Sequence, residues 1–414
     1  MSPTAPTLLS LLLSLMPLLA PAQSEDKLIQ KLLRSKPEWF GPVLQNPGKY
    51  DVQIIYTRVD RDKDNQPRLT THTWRADPKQ YFYPASTVKL PAVLLALEKL
   101  NRLGMSGLDK HTPLRIDSAY ARQIPVAADS TAENGLPSIG HYVKKILLVS
   151  DNDAFNRLLE FVGQRPFNET LYAKGYQDLK ITRRLQVGST PEEDRHSNPF
   201  TFYQGEQVLY QQPAAFNPQP FENTLTTIRK GKGYLKGGQL VSEPMDFSAV
   251  NYFSLGDMQA ILRSLIFPEA VPAAGRFNLT DDDYRFVRRH MSMFPHESTW
   301  PKYDTSHYPS YGKFFLYGDT KAPFPPNVRI FNKAGWAYGT LTDNAYIVDF
   351  ERGVEFFLTA TILVNEDGIF NDDKYEYETV GKPFLARLGQ VFYEHELKRK
   401  RKHKTDLSEF RFEY

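Results

Sequence analysis

Apolar and polar positions along the chain divide it into β-type ends and a helix-rich middle. Residues 50–57 and 69–74 are rich in β-branched and aromatic side chains, and the polar stretch 60–66 between them predicts a hairpin. Residues 87–103 contain no glycine and one early proline. Their apolar positions (Val88, Ala92, Val93, Leu94, Leu95, Leu97, Leu100, Leu103) cover most of a helical circumference, which predicts a helix buried on all sides. Further helices are predicted over 139–149, 154–162 and 254–267, the last with Ser254 as its N-cap. Residues 211–220 and 298–326 read as ordered loops, because their Tyr and Phe content argues against disorder. Strands over 328–331, 345–350 and 354–364 and a helix over about 377–397 close the pattern. Strands at both ends imply an α+β fold: one antiparallel sheet built from both chain ends, flanked by helices, with an inserted mainly helical domain. The expected division is 23–103 with 328–397 as the sheet-containing unit, 104–327 as the helical unit with long loop insertions, and 398–414 as a basic tail. A groove between the two units is where a ligand is expected.

Composition narrows the classes. Hydrophobic residues make up 41% of 414 and aromatic ones 13%, enough for a sizeable core. The 51 Lys and Arg nearly cancel the 48 Asp and Glu, so no overall field recruits nucleic acid. The absence of cysteine rules out disulfides, thiolate nucleophiles, Cys-ligated zinc and a lipid-bearing N-terminal cysteine. The nine His form no H-E-x-x-H, and His290, His296 and His307 are spaced without helical logic, so neither a metal nor a cofactor is expected. The apolar run 8–20, followed by Ala20-Pro21-Ala22, reads as a signal peptide over residues 1–22, although no Lys or Arg precedes it. Export to the periplasm or medium is expected. The run Lys398–Lys404 reads as a solvated tail, with contact to anionic envelope lipid as the other reading.

Candidate chemistry begins with Ser-x-x-Lys, which can place a base beside a serine hydroxyl at a helix start. The chain has three copies: Ser24–Lys27, Ser86–Lys89 and Ser310–Lys313. Only Ser86 opens a strongly apolar helix, which would bury Lys89 and lower its pKa toward a proton-accepting range. Ser150-Asp151-Asn152 falls between two predicted helices, where capping alone would also explain Ser and Asp. Lys333-Ala334-Gly335 follows a predicted strand, whereas Lys236-Gly237-Gly238 lies in a Gly/Lys-rich turn with no strand predicted before it.

In the order S-x-x-K, S-D-N, K-x-G, these elements resemble the class A β-lactamase and penicillin-binding-protein superfamily of serine hydrolases. The resemblance implies Ser86 as acylated nucleophile, Lys89 as its base and Ser150 as proton relay to the leaving nitrogen. Asn152 and Lys333 would hold the substrate, beside Gly335, and the backbone N–H groups of Ser86 and Trp336 would form the oxyanion hole. It also implies a small-molecule or peptidoglycan-peptide substrate, with β-lactam hydrolysis the first candidate. A D-Ala-D-Ala-type peptidase or esterase with slow β-lactam deacylation, or a non-catalytic cell-wall-peptide binder, are the alternatives. Two departures stand out. Ala334 replaces the usual hydroxyl residue, and the loop after Ile181-Thr182-Arg183 lacks the usual deacylating glutamate. That loop offers Glu192, Glu193 and Asp194. Of these, Asp194 has the expected spacing to Asn198, while solvated surface charge is the plainer expectation for each.

Overall fold

The computed structural model describes residues 27–223 and 225–414. The expected signal peptide and Ser24 lie outside the described residues.

The central sheet is antiparallel and drawn from both ends of the chain. Its strands run in the order Val328–Asn332, Thr340–Asp349, Val354–Leu363, Gln53–Arg61, Pro67–Trp74, with Gly335–Ala337 pairing to the second. The three central strands are buried along nearly their whole length because both faces are covered, polar residues included. Alternation sorts their side chains into two cores. Ile54, Tyr56, Phe356 and Leu358 pack with Phe384 and Phe392 of the helix Lys382–Lys398 and with Ile29 and Phe40. Ile55, Val59, Tyr346 and Phe357 pack with Met258, Leu262 and Phe267 around the helix Leu255–Ile266. Polar strand residues on that second face are paired. Gln259 donates to Thr359 and accepts from Thr57 at 3.0 and 2.6 Å, and Asn344 donates to Met258 O at 2.8 Å. The helix Leu255–Ile266 starts as expected, with Ser254 Oγ accepting from Asp257 N.

The second core also contains the helix Lys89–Leu103, packed against Ile139–Val149 and Asn152–Val162. Around these helices the inserted region carries more β-structure than its sequence suggested. The hairpin Phe200–Gln204 with Gln207–Gln212 turns at Gly205-Glu206, and Ala215–Phe216 pairs with His196–Ser197, so 211–220 is not simply a loop. Lys236-Gly237-Gly238 does have a strand before it. Gly233–Lys236 pairs with Gln239–Val241 through Gly237 and Gly238, both at positive φ, a conformation glycine adopts at no steric cost. A helix over Asp281–Ser292, closed by a Thr280/Asp283 capping box, was legible in Thr-x-x-Asp and was missed.

The C-terminal tail is docked through its arginines and aromatic residues, while Lys398, Lys400, Lys402 and Lys404 stay exposed. Arg399 and Arg401 pair with Glu396, Arg399 also reaches Asp60, and Leu407, Phe410 and Phe412 enter the core. Phe410 is fully buried against Phe267, Phe331 and Tyr346.

Candidate active site

Residues 84–98 are buried with one exception, Ser86. It sits in a single 3-10 turn, Ala85–Val88, which leads into the helix Lys89–Leu103. The apolar periodicity of that helix drives Lys89 inward, where it is fully buried. Its ammonium donates to Asn152 Oδ1 at 2.6 Å, to Ser150 Oγ at 3.1 Å and to Ser150 O. Burial, and then the charge of Lys333, hold its pKa well below the usual lysine range.

Capping and site-building coincide at Ser150-Asp151-Asn152. Ser150 adopts the left-handed conformation (φ 62°) that ends the helix Ile139–Val149, with its N–H on Ile146 O. Asp151 caps the next helix by accepting from Ala154 N at 2.8 Å. This sharp corner turns the Ser150 hydroxyl and the Asn152 amide toward Lys89.

Lys333 comes from the sheet. Its Nζ donates to Ser150 Oγ at 2.9 Å and to Ala334 O at 2.8 Å. Burial lowers its pKa to about 7, Asp343 opposes that shift and Lys313 adds to it. Strand register fixes the direction of the Trp336 N–H. Lys333 N donates to Asn344 O, and the same register continues through Gly335↔Thr342 and Ala337↔Thr340. Hydrogen-bonded and non-hydrogen-bonded pairs alternate in an antiparallel ladder, so the Trp336 N–H points away from its partner strand, to the open edge. That edge lies against the Ser86 turn. A Cβ on Gly335 would sit 2.5 Å from Ser86 N and 2.9 Å from Pro84 O and Thr87 N, so only glycine permits the approach.

Ser86, Ser150, Asn152 and Trp336 share the wall of one groove of about 990 Å³. Lys89, Lys333 and Gly335 stand behind that wall. The acids of the 181–198 loop do not reach it. Asp194 is buried, with its carboxylate taken by Arg183, by Arg184 at 2.9 Å and by Ser189 at 2.6 Å. Glu193 accepts from Arg122 at 2.6 Å and from Thr190 N at 2.7 Å. Glu192 pairs with Arg195 at the surface. The geometry therefore corrects two expectations: Asp194 and Glu193 are neither free surface charges nor groove bases, because ion pairs hold them within the loop. Arg183, Arg184, Leu185, Gln186 and Gly188 of the loop line the groove, and of these Gln186 meets Asn152, accepting from Asn152 Nδ2 at 2.6 Å. Its neutral amide offers no motif, so sequence reasoning passed over it.

Ser310–Lys313 is no second site. Ser310 donates to Thr320 O, while buried Lys313 donates to Met291 O, Ile330 O and Asn332 Oδ1 at 2.8, 2.9 and 3.0 Å. Asn332 Nδ2 in turn donates to Asp343 at 2.8 Å, placing a charged network directly behind Lys333. Among the described residues no group of three His, Asp or Glu is placed to hold a metal.

An antiparallel sheet from both chain ends, a helix-borne Ser-x-x-Lys and a strand-borne lysine meeting at one groove define a β-lactamase-type arrangement. The family model described as "Beta-lactamase enzyme family" matches residues 61–272, and the chain belongs to that family. No curated protein matches the chain. Similar solved structures include a β-lactamase from Sphaerobacter thermophilus (11% identity, 89% of this chain and 96% of that one, TM-score 0.46). Another is a β-lactamase from Xanthomonas campestris pv. campestris (14%, 88% and 98%, TM-score 0.49). A third is a β-lactamase from Burkholderia ambifaria (12%, 86% and 97%, TM-score 0.46).

Proposed function

We propose that the protein is an exported serine hydrolase that forms an acyl-enzyme on Ser86 with an amide or lactam carbonyl. The observation that carries this reading is the placement of half-buried Ser86, alone in its buried run, one turn before a fully buried Lys89 whose proton affinity is depressed. In the proposed step Ser86 Oγ attacks the carbonyl carbon and gives its proton to neutral Lys89. The oxyanion gathers at the N–H groups of Ser86 and Trp336. The carbon–nitrogen bond then breaks, and the nitrogen takes a proton through Ser150, with Lys89 resupplying it. Lys333 steadies Ser150 and draws an anionic substrate group, and Asn152 holds the substrate amide.

β-Lactams are the first candidate substrates. A specific observation favours slow release of the product: the groove meets Gln186 where a carboxylate would be needed to activate water. This supports a peptidase-like or esterase-like protein on which a penicillin adduct persists. Time-resolved intact mass after mixing with benzylpenicillin tests both points. A stoichiometric adduct on the Ser86 peptide, lost in Ser86→Ala, is expected, and an unlabelled wild-type protein overturns the acyl-enzyme reading. Export rests on the apolar run 8–20 with Ala20-Pro21-Ala22, and N-terminal sequencing of protein from the native envelope tests it, with a start near Gln23 expected.

A further inference from the structure

The charges around the groove are unequally available. Its two guanidiniums are committed. Arg183 donates to Asp194, Ser189 O and Ala249 O, and Arg184 to Asp194, Glu160 and Glu193 O. Lys89 and Lys333 are buried behind the wall and bonded there. Of the three acids on the wall, Asp151 caps a helix and Asp153 pairs with Arg157. Asp373 differs, for it is exposed and its carboxylate has no hydrogen bond or ion pair among the described residues.

Tyr338, Tyr375 and Tyr377 line the same groove, each close enough to feel the Asp373 charge. The rings of Tyr375 and Tyr377 lie 5.4 Å apart, and the phenol of Tyr377 accepts from Gly339 N at 2.8 Å. This bond ties the cluster to the turn after Trp336 and Ala337. Burial raises all three phenols above their ordinary pKa, and the nearby Asp373 charge adds to the rise, so they stay neutral rings. An unpaired carboxylate among three neutral aromatic rings is a setting that attracts a cation by charge and by ring quadrupole together.

We propose that Asp373, with Tyr338, Tyr375 and Tyr377, forms a subsite for a positively charged ammonium group on the acyl portion of the substrate. The assignment rests on the acyl-enzyme reading for the role of the groove, and it narrows the substrate class to amides or lactams whose acyl side chain carries an amine. The subsite adjoins the Trp336–Tyr338 edge, beside which an acyl chain leaving Ser86 would run.

Three penicillins share one nucleus and one carboxylate and differ only at the side-chain α-carbon. Benzylpenicillin carries hydrogen there, ampicillin an amine and carbenicillin a carboxylate. Acylation rates are compared by intact mass at pH 6, below the pKa of about 7.7 of an α-amine. Ampicillin is expected to exceed benzylpenicillin about tenfold at low salt, with carbenicillin slowest, and the spread should narrow at high salt. Asp373→Asn should bring the ampicillin/benzylpenicillin ratio near one, and Asp373→Lys should favour carbenicillin. Equal rates for all three on the wild-type protein, or an unchanged ratio in Asp373→Asn, overturn the subsite. Should no penicillin acylate, the acyl-enzyme reading falls separately. Binding of 2-phenylethylammonium against 3-phenylpropionate, read by calorimetry, then decides. A preference for the ammonium that disappears in Asp373→Asn supports the subsite, and no preference overturns it.

Discussion

Lys89 and Lys333 donate to the same hydroxyl, with Ser150 Oγ lying 3.1 Å from the first ammonium and 2.9 Å from the second. A hydroxyl has two acceptor lone pairs and one hydrogen. With both lone pairs engaged by lysines, the Ser150 hydrogen is left to point into the groove that Ser150 lines. Those two contacts leave Ser150 with a hydrogen to donate, as the proposed relay requires.

Removing that hydroxyl should therefore damage chemistry more than folding. Ser150→Ala is expected to slow acylation by roughly 10²–10⁴-fold, and Lys89→Ala by at least as much, while Ser86→Ala abolishes it. Labelling with a fluorescent penicillin, monitored over time, measures all three. Undiminished labelling of Ser86→Ala would move the nucleophile elsewhere.

Release of the acyl group should respond to Gln186 and not to Asp194. Gln186→Glu places a carboxylate beside Asn152 and should shorten the lifetime of the penicillin adduct, about tenfold or more. Asp194→Asn should leave that lifetime within about twofold yet destabilise the fold by about 3 kcal/mol, because Arg183 and Arg184 lose a buried partner. Adduct decay by mass spectrometry and urea unfolding separate the two effects. An adduct that decays more than about tenfold slower in Asp194→Asn than in the wild-type protein, with the Gln186→Glu lifetime unchanged, reverses the assignment.

The lysines behind the groove make a prediction for stability against pH. Burial lowers Lys313 and Lys333 from the ordinary 10.5 to about 7 each. Between those values the unfolded chain holds more protons than the folded one, so stability rises with pH. Each group contributes at most about 1.4 kcal/mol per pH unit, and the cost is fully present below pH 7. Lys89, Lys99 and Lys180 are lowered by burial as well and add to the same rise. Urea unfolding at pH 7 and pH 9 should show it, and Lys313→Met should reduce it by roughly a quarter to a third. A flat profile in the wild-type protein would show that these lysines remain charged in the fold.

The C-terminal run should prove structural. Phe410→Ala empties a site bounded by Phe267, Phe331 and Tyr346 and should cost about 3–5 kcal/mol. Replacing Lys400, Lys402 and Lys404 with Gln should cost less than about 0.5 kcal/mol each, since they face solvent. Thermal unfolding of the two variants checks the contrast, and equal effects would argue against docking of the aromatic residues.

Much of the architecture was legible because it rests on local periodicity. The buried helix after Ser86, the first hairpin, the three closing strands and the Ser254 cap all carry their signal within a dozen residues. Short strands of the inserted region were missed, because a two-residue bridge such as Ala215–Phe216 has no period to detect and exists only through its partner. The docking of 398–414 was missed for a related reason. Its lysines and arginines dominate the composition, while Phe410 and Phe412 have no periodicity of their own and find a core only once Phe331 and Tyr346 are in place.

The sequence by itself determined which side chains are candidates for chemistry: Ser86 and Lys89 one helical turn apart, Ser150-Asp151-Asn152 at a helix corner, and Lys333 at a strand end, each set by spacing and chain order. Tertiary structure alone decided which charges are free. Asp194 and Asp373 are equivalent letters in the chain, yet one is enclosed by Arg183 and Arg184 while the other faces the groove unpaired. Lys313 lies at the same spacing from a serine as Lys89 and points instead to Met291 O and Ile330 O. Spacing sets which residues share a local face, but the availability of a charge depends on partners brought from distant segments, and only folding supplies those.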